Sequence, residues 1–277
     1  MNRQALVRPL PRPMPLRWPA PAARLGRIVL RLVVPAALLI LWQLVTMAGI
    51  YSRGQLPSPL DVVAAARQLA ESGQLATNIL ISLQRVVWGF GLGGLVALVL
   101  GMTVGLSRVA EAMLAPTIQA VRAVPSLAWV PLFVLWMGID ERPKIILIAI
   151  GAFFPVYTNL VSGIRQIDWK LIEVGQAYGM RGLPLAREVL LPAALPSLLT
   201  GMRLGLAQGW LFLVAAELIG AGSGLGYLLI DGQNTGRADT IVLSMVLLAL
   251  FGKGTDTLLQ VAERRLLRWS DTFGARA

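Results

Sequence analysis

Four charged side chains interrupt the long apolar runs of this 277-residue sequence and are its first candidates for chemistry. They are Arg85, Arg122, Glu217 and Lys253. Their spacing matches no recognisable arrangement of a nucleophile, a base and an orienting group. Histidine and cysteine are absent, which removes the commonest metal ligand and all thiolate chemistry. The sequence therefore predicts no catalytic residue and no metal site.

A second group of polar side chains is concentrated in residues 165–192, which we call the polar segment. Its charged residues are Arg165, Asp168, Lys170, Glu173, Arg181, Arg187 and Glu188. Because only 14% of the chain is charged, this density predicts a segment that faces water or a polar partner. From the residues alone, both an ordinary loop between membrane spans and a docking element remain open.

Two short helices are predicted within the polar segment. Asp168 can cap a first helix that runs to about Tyr178, where Gly179 permits the backbone to turn. Pro184 suits the first turn of a second helix, which is predicted to end before Pro192. Together they would form a small protrusion.

Composition identifies the elements that must position these residues as membrane helices. Hydrophobic residues make up 56% of the chain, and the mean hydropathy is +0.69. The net charge of +11 could suit nucleic acid, but no aromatic-rich soluble domain surrounds the basic residues. We therefore predict an all-α integral membrane protein that contacts lipid and does not bind nucleic acid.

Six spans are predicted, since an apolar run of about 20 residues crosses a hydrocarbon core of about 30 Å. They cover residues 32–52, 76–107, 112–139, 145–164, 192–219 and 240–260, within a transmembrane domain of residues 32–262. Pro125 and Pro131 predict kinks or irregular turns in the third span. The sixth requires Lys253 and Asp256 to pair on one helical face. Residues 1–31 are predicted to be a disordered basic tail, and residues 263–277 a second tail.

Other local patterns refine this arrangement. Ser58, Pro59 and Asp61 predict the start of a short helix that reaches about residue 72 and lies at the membrane surface. Gly89/Gly93 and Gly101/Gly105 are spaced for close contact between helices. Residues 220–226 are predicted to be a flexible loop. The first span resembles a signal peptide but is predicted to be an uncleaved anchor, and no P-loop sequence occurs.

Basic residues also predict orientation. With six spans and both termini in the cytoplasm, the cytoplasmic segments hold 17 basic residues and the opposite side holds five. This asymmetry places the polar segment in the cytoplasm.

The polar segment resembles the EAA signature of binding-protein-dependent ABC importer permeases. Glu173, Gly179 and Pro192 have its spacing, although Val174 and Gly175 replace its two alanines. The resemblance extends over residues 57–269 and includes RAVPSLAWVPLFVLWMGID at 122–140 and LLALFGKGTD at 247–256. It is strongest to the branch for aliphatic sulfonates, taurine and nitrate, and within it to alkanesulfonate permeases, notably in AYGMRGLPL at 177–185.

This resemblance implies a type I ABC importer permease fold in a bacterial cytoplasmic membrane. The chain would pair with a second copy, a cytoplasmic ABC ATPase dimer, and a periplasmic or lipid-anchored solute-binding protein. ATP and Mg²⁺ would be bound by the ATPase, so this chain would be no enzyme and hold no cofactor. Residues 165–191 would couple it to the ATPase through Glu173, Gly179, Trp169, Tyr178, Arg181 and Pro192.

The resemblance further implies an anionic substrate, most closely an aliphatic sulfonate, with taurine, nitrate or a heterocyclic precursor as alternatives. Arg85 and Arg122 would attract this anion in or beside the pathway, and Asn159 would be a neutral donor. Each could equally pack helices or reach the membrane surface. Glu217 is expected to pair with a basic neighbour or to form part of a gate. A passive channel and a membrane enzyme are the alternatives of a different class.

Overall fold

The computed structural model describes residues 20–52 and 54–269, and these residues form helices and no strand. The helices are α1 (Ala20–Met47), α2 (Pro59–Glu71), α3 (Gln74–Leu106), α4 (Arg108–Ala123), α5 (Val130–Met137), α6 (Glu141–Arg165), α7 (Trp169–Ala177), α8 (Leu183–Leu185), α9 (Leu191–Leu218), α10 (Leu225–Asn234) and α11 (Ala238–Leu266). A 3₁₀ turn (Ser126–Trp129) precedes α5, and a π-helical turn (Ala186–Leu190) precedes α9. The predicted all-α fold is confirmed.

The chain divides into two compact units, residues 1–51 and 52–277. The first contains α1, which begins within the stretch predicted to be a disordered tail. No proline lies between Pro21 and Pro35, and the intervening alanine, leucine and arginine residues favour helix. Residues 1–19 of the predicted tail, and residues 270–277 of the C-terminal one, lie outside the described residues.

Four helical stretches in the described residues are long and apolar enough to cross a membrane. They are α3, α6, α11 and the continuous helix Ala186–Leu218. A fifth span results if α4 and the helical stretch Leu127–Met137, which includes α5, are taken together; the two are bent by 79°. In α1 the apolar stretch Val33–Met47 is shorter. The six span boundaries given above stay predictions.

The third predicted span is broken at Pro125, one of the two prolines predicted to produce a kink or an irregular turn. Val124, which precedes Pro125, has φ −73° and ψ 124°, an extended conformation. A proline ring clashes with a helical conformation of the residue before it, and this ends α4. Pro131 has a different effect, because it lies in the first turn of α5, where a missing N–H breaks no helical bond.

The core of the second unit is α6, which packs between α3 and α9. A methyl group added at Gly89 would lie 2.5 Å from Ile148 Cβ, and one at Gly105 would lie 2.6 Å from Ile164 Cδ1. Gly91 on another face of α3 has open space around it. The predicted helix contact of the glycines spaced four apart is confirmed.

Helix α9 approaches α6 from its other side in the same way. A methyl group at Gly201 would lie 2.8 Å from Asn159 Cβ, and one at Gly205 would lie 2.9 Å from Val156 Cγ2. The contacts of α6 with α3 and with α9 both depend on glycines that lack a side chain, so the three helices form one closely packed group.

The predicted short helix is α2. Asp61 N donates to Ser58 Oγ (3.2 Å), and Ser58 N donates to Asp61 Oδ2 (2.9 Å), which completes a capping box. Its buried face packs against α11 and α3. Its position at the membrane surface stays a prediction.

Candidate functional site

The first candidate region is a buried cluster around Arg85 on α3, whose side chain is only 3% exposed. Its Nη1 donates to Glu217 Oε1 on α9 (2.7 Å) and to the Ser223 carbonyl (2.7 Å). Its Nε and Nη2 donate to the two carboxylate oxygens of Glu141 on α6, at 2.7 and 2.6 Å. All three nitrogens are therefore engaged by partners within the chain.

Glu217, whose side chain is 0% exposed, is the second charge of this cluster. Besides Arg85, its carboxylate accepts hydrogen bonds from Ser82 Oγ (2.7 Å) and from the Gly226 N–H (2.7 Å). A buried carboxylate is tolerated only when it is paired and hydrogen-bonded in this way. The predicted pairing of Glu217 with a basic neighbour is observed, whereas its part in a gate stays a prediction.

The same cluster holds the glycine-rich loop before α10. The Gly224 N–H donates to Asn78 Oδ1 (2.6 Å), and the Leu225 N–H donates to Ser82 Oγ (2.8 Å). These bonds satisfy backbone donors at the start of α10. Leu225 and Gly226, predicted to lie in the flexible loop, instead begin α10, and side chains from α3 and α9 bind the N–H groups of residues 224–226. The flexibility of residues 220–223 stays a prediction.

The signal that could have revealed this anchoring is the spacing of Asn78, Ser82 and Arg85. They lie four and three residues apart, on one face of α3. Three polar residues on one face of a membrane helix indicate polar partners on a neighbouring element. Sequence reasoning singled out only Arg85 and missed the other two.

Arg122 and Asn159 occupy different surroundings. Arg122, in the last turn of α4, is exposed, and it forms no hydrogen bond or ion pair with any described residue. It lines a cavity between α4 and α6. Asn159 is half-buried against Gly201 and donates from Nδ2 to the Pro155 carbonyl (2.8 Å). The structure thus joins Arg85 to Glu217 and places Arg122 and Asn159 elsewhere.

The second candidate region is the polar segment, whose first helix has the predicted caps. Asp168 Oδ1 accepts a hydrogen bond from the Lys170 N–H (3.0 Å) at the start of α7. At its end Gly179 has φ +80°, and the Met180 N–H donates to the Gly175 carbonyl (3.0 Å). Glycine adopts this left-handed conformation without steric cost, so the predicted turn at Gly179 is observed.

The outer face of α7 is exposed. Trp169 and Tyr178 are 63% and 80% exposed. Glu173 and Arg181 are also exposed, and neither forms an ion pair with a residue in the described part of the chain. These side chains are therefore available to a partner.

Gly175 explains how α7 is attached to the following helix. A methyl group at this position would lie 2.6 Å from Leu185 Cδ1 and 3.2 Å from Val189 Cγ2. Gly175 is one of the two residues that replace the alanines of the signature, and its missing side chain brings α7 closer to the residues before α9.

The second predicted helix of the polar segment does not end before Pro192. Residues 183–218 are helical without interruption, through α8, the π-helical turn and α9. Pro192 directly follows the π-helical turn, in which the Leu191 N–H donates to the Ala186 carbonyl five residues back. The polar segment is consequently continuous with a membrane span.

Comparison with known proteins identifies the family. Residues 90–268 match the family described as binding-protein-dependent transport system inner membrane component. The chain belongs to this family. It is a permease subunit of an ATP-driven importer, a multi-pass membrane protein, and the resemblance to permeases of the aliphatic sulfonate branch is confirmed.

Three relatives and one solved structure illustrate the match. The permease is 44% identical over 240 residues to SsuC of Escherichia coli (strain K12), covering 87% of this chain and 91% of that protein. It is 41% identical over 242 residues to SsuC of Bacillus subtilis (strain 168), covering 87% and 88%. Both are named as aliphatic sulfonates transport permeases.

TauC of Escherichia coli (strain K12), a taurine transport system permease, is 32% identical, covering 92% and 94%. An inward-facing structure of the MetNI methionine ABC transporter has a TM-score of 0.61 at 22% identity. It covers 72% of this chain and 97% of that one, and this likeness shows the fold.

Further ion pairs connect α9 and α11 of the permease. The Lys253 ammonium lies 3.2 Å from Asp256 Oδ2, so the pair predicted for the last span is confirmed. Arg203 Nε lies 3.0 Å from Asp256 Oδ1, and its Nη1 lies 3.3 Å from Glu263 Oε2. The helix that continues the polar segment is thereby linked to α11.

Proposed function

We propose that this permease imports aliphatic sulfonates. The observation that carries the proposal is its identity of 41% and 44%, over 87% of the chain, to two permeases named for these compounds. The match to a taurine permease and to the bicarbonate permease CmpB of Synechococcus elongatus favours small oxyanions more generally. Import of taurine, nitrate or a heterocyclic precursor by the same mechanism is the alternative.

The test is uptake in cells that lack their own sulfonate and taurine importers. We expect cells that express this permease with its cognate ATPase and binding protein to grow on butanesulfonate as sole sulfur source. Growth on taurine and not on butanesulfonate would replace the proposed substrate. Titration of the purified binding protein with butanesulfonate, taurine and nitrate provides a second measurement, because that protein sets much of the selectivity.

The working assembly that we propose has two copies of this chain, a cytoplasmic ATPase dimer and a solute-binding protein. ATP and Mg²⁺ are bound, and ATP is hydrolysed, by the ATPase. The exposed side chains of α7 and of the turn after it support this division, because Glu173 and Arg181 lack ion-pair partners among the described residues. Glu173 makes the ionic contact, while Trp169 and Tyr178 serve as aromatic anchors.

Movement of the ATPase reaches the membrane spans through packing. Gly175 brings α7 against Leu185 and Val189, which lie in the helix that continues as α9. Helix α9 in turn contacts α6 through Gly201 and Gly205. A displacement of α7 therefore tilts α9 and α6 together, so that the pathway opens alternately to each side.

Orientation follows from the distribution of basic residues, with the polar segment and both termini on the cytoplasmic side. Reporter fusions after Trp169 and after Gly232 test it. We expect the first to be active only in the cytoplasm and the second only after export. An export-active signal after Trp169 would contradict the arrangement.

Copurification discriminates the importer from a passive channel or a membrane enzyme. We expect the affinity-tagged permease to retain the ATPase in mild detergent, and the butanesulfonate uptake to stop when ATP is depleted. Uptake that continues without ATP, from a permease that retains no ATPase, would favour a channel.

A further inference from the structure

A cavity of about 280 Å³ lies between α4 and the C-terminal half of α6. Eight of the eleven residues around it have polar or charged side chains, whereas apolar atoms make up most of its surface. The volume is below the range of about 300–1,000 Å³ that is usual for drug-sized ligands, so it suits a small molecule. None of the residues predicted for substrate binding except Arg122 lines it.

Tyr157 on α6 is the most informative residue of this cavity. It is only 6% exposed, and its ring stacks on Phe153 with centroids 5.5 Å apart. Its hydroxyl forms no hydrogen bond with a described residue, yet no fully buried side-chain polar atom in the described residues lacks a partner. The hydroxyl is therefore open to the cavity that Tyr157 lines, and it has a hydrogen bond left to donate.

The charge of the cavity is positive. Arg122 has no ion-pair partner among the described residues, and Arg165 Nη2 lies 2.5 Å from Glu111 Oε1. Two arginines and one glutamate leave one net positive charge. Ser162 Oγ accepts a hydrogen bond from Gln166 Nε2 (2.9 Å), so that its own O–H remains free to donate. Arg122, Tyr157 and Ser162 all line this cavity, and each has a hydrogen bond left to donate.

We propose that this cavity binds the oxyanion group of the transported anion, with Arg122, Tyr157 and Ser162 as donors. The proposal rests on the proposed function for the identity of the anion, a sulfonate, and on the cavity itself for the site. Three donors match the three oxygens of a sulfonate group, and the net positive charge offsets its negative charge. The site lies where α6 ends and the polar segment begins.

The test is calorimetric titration of butanesulfonate into the full permease in phosphatidylcholine nanodiscs. We expect Tyr157→Phe to weaken binding about tenfold and Arg122→Gln to weaken it about a hundredfold, because each removes a hydrogen bond to a charged group. Tyr157→Phe retains the stacked ring, so its unfolding temperature should be unchanged. The matched controls are Tyr227→Phe on α10 and Arg108→Gln at the start of α4, neither of which lines the cavity. Equal affinity for the wild type, Tyr157→Phe and Arg122→Gln would overturn the site.

A lipid phosphate is the other source of an oxyanion, and nanodiscs that contain phosphatidylglycerol distinguish it. We expect butanesulfonate to bind equally in both kinds of disc. Loss of butanesulfonate binding in phosphatidylglycerol discs would identify the occupant as a headgroup and overturn the proposal. If the whole transporter takes up butanesulfonate but neither variant changes its binding, the proposed site is overturned and the proposed substrate stands. If Tyr157→Phe and Arg122→Gln weaken butanesulfonate binding but the transporter takes up no sulfonate, the result would support the site and overturn the proposed substrate.

Discussion

The buried cluster around Arg85 and the exposed polar segment are both rich in charge, yet they differ in whether those charges have partners within the chain. Arg85 and Glu217 are enclosed by partners from α3, α6, α9 and the start of α10. Glu173 and Arg181 face outward and form no ion pair with a described residue. A charge whose partners come from its own chain stabilises the fold, whereas one without them is available for recognition.

Burial is the physical reason for this difference. Removing one partner from a buried pair leaves an uncompensated charge in a medium of low dielectric constant, which costs far more than the same change at a surface. Substitution of a charge in the cluster should therefore change stability, and substitution of an exposed charge in the polar segment should change transport with little effect on stability. The following predictions, ordered by expected effect, test this contrast.

The largest effect is expected for Glu217→Leu. This change leaves Arg85 with fewer acceptors and leaves Ser82 and the Gly226 N–H without theirs, so it should cost about 3–5 kcal/mol of stability. Thermal unfolding of the purified permease in detergent measures the loss. The double variant Arg85→Met/Glu217→Leu should recover part of it, because no buried charge is then left unpaired: Glu141 is half exposed and keeps its pair with Lys144. An unfolding temperature of Glu217→Leu equal to that of the wild type would contradict the structural role of the cluster.

A smaller loss, of about 1–3 kcal/mol, is expected for Gly175→Val, because the added side chain overpacks the contact with Leu185 and Val189. Coupled uptake should fall as well, since α7 would be displaced from the helix that continues as α9. Gly175→Ala should have a weaker effect, because its nearest contact is the mobile end of Leu185. Unfolding curves and uptake rates of the two variants provide the measurements, and equal behaviour of both would contradict the packing argument.

Glu173→Arg should lower ATP-coupled uptake on the order of tenfold, about 1.4 kcal/mol, because charge reversal turns attraction to the ATPase into repulsion. Its unfolding temperature and membrane insertion should match those of the wild type. The matched control is Glu71→Arg at the end of α2, where the carboxylate is also exposed. Full uptake and full ATPase retention by Glu173→Arg would contradict the proposed ionic contact of Glu173 with the ATPase.

The smallest effect is expected for Lys253→Gln, which removes an ion pair whose lysine is 72% exposed. The long lysine side chain can carry its ammonium to the membrane surface, where ion pairs contribute little, so the loss should stay below about 0.5 kcal/mol. Asp256 also keeps its contact with Arg203. A loss comparable to that of Glu217→Leu, measured by the same unfolding assay, would show that exposure does not separate the two classes of charge.

Several features of the fold were predictable because they depend on neighbours in the chain. The caps at Ser58 and Asp168 and the turn at Gly179 follow from local backbone geometry. The close contacts of Gly89 and Gly105 follow from residue spacing on one helix. Local sequence did not predict where the third span is broken or that the helix continues through Pro192. The effect of a proline on a helix depends on its surroundings.

The sequence by itself determined that this protein is an all-α membrane permease, because apolar run length, charge asymmetry and the Glu173, Gly179 and Pro192 spacing are properties of the chain. Only the tertiary structure decided which charges are satisfied. Arg85 and Glu217 are 132 residues apart, and no local rule brings them together. Hydrogen bonds and ion pairs form between atoms a few ångströms apart in space, so the division between structural and available charges is made by packing.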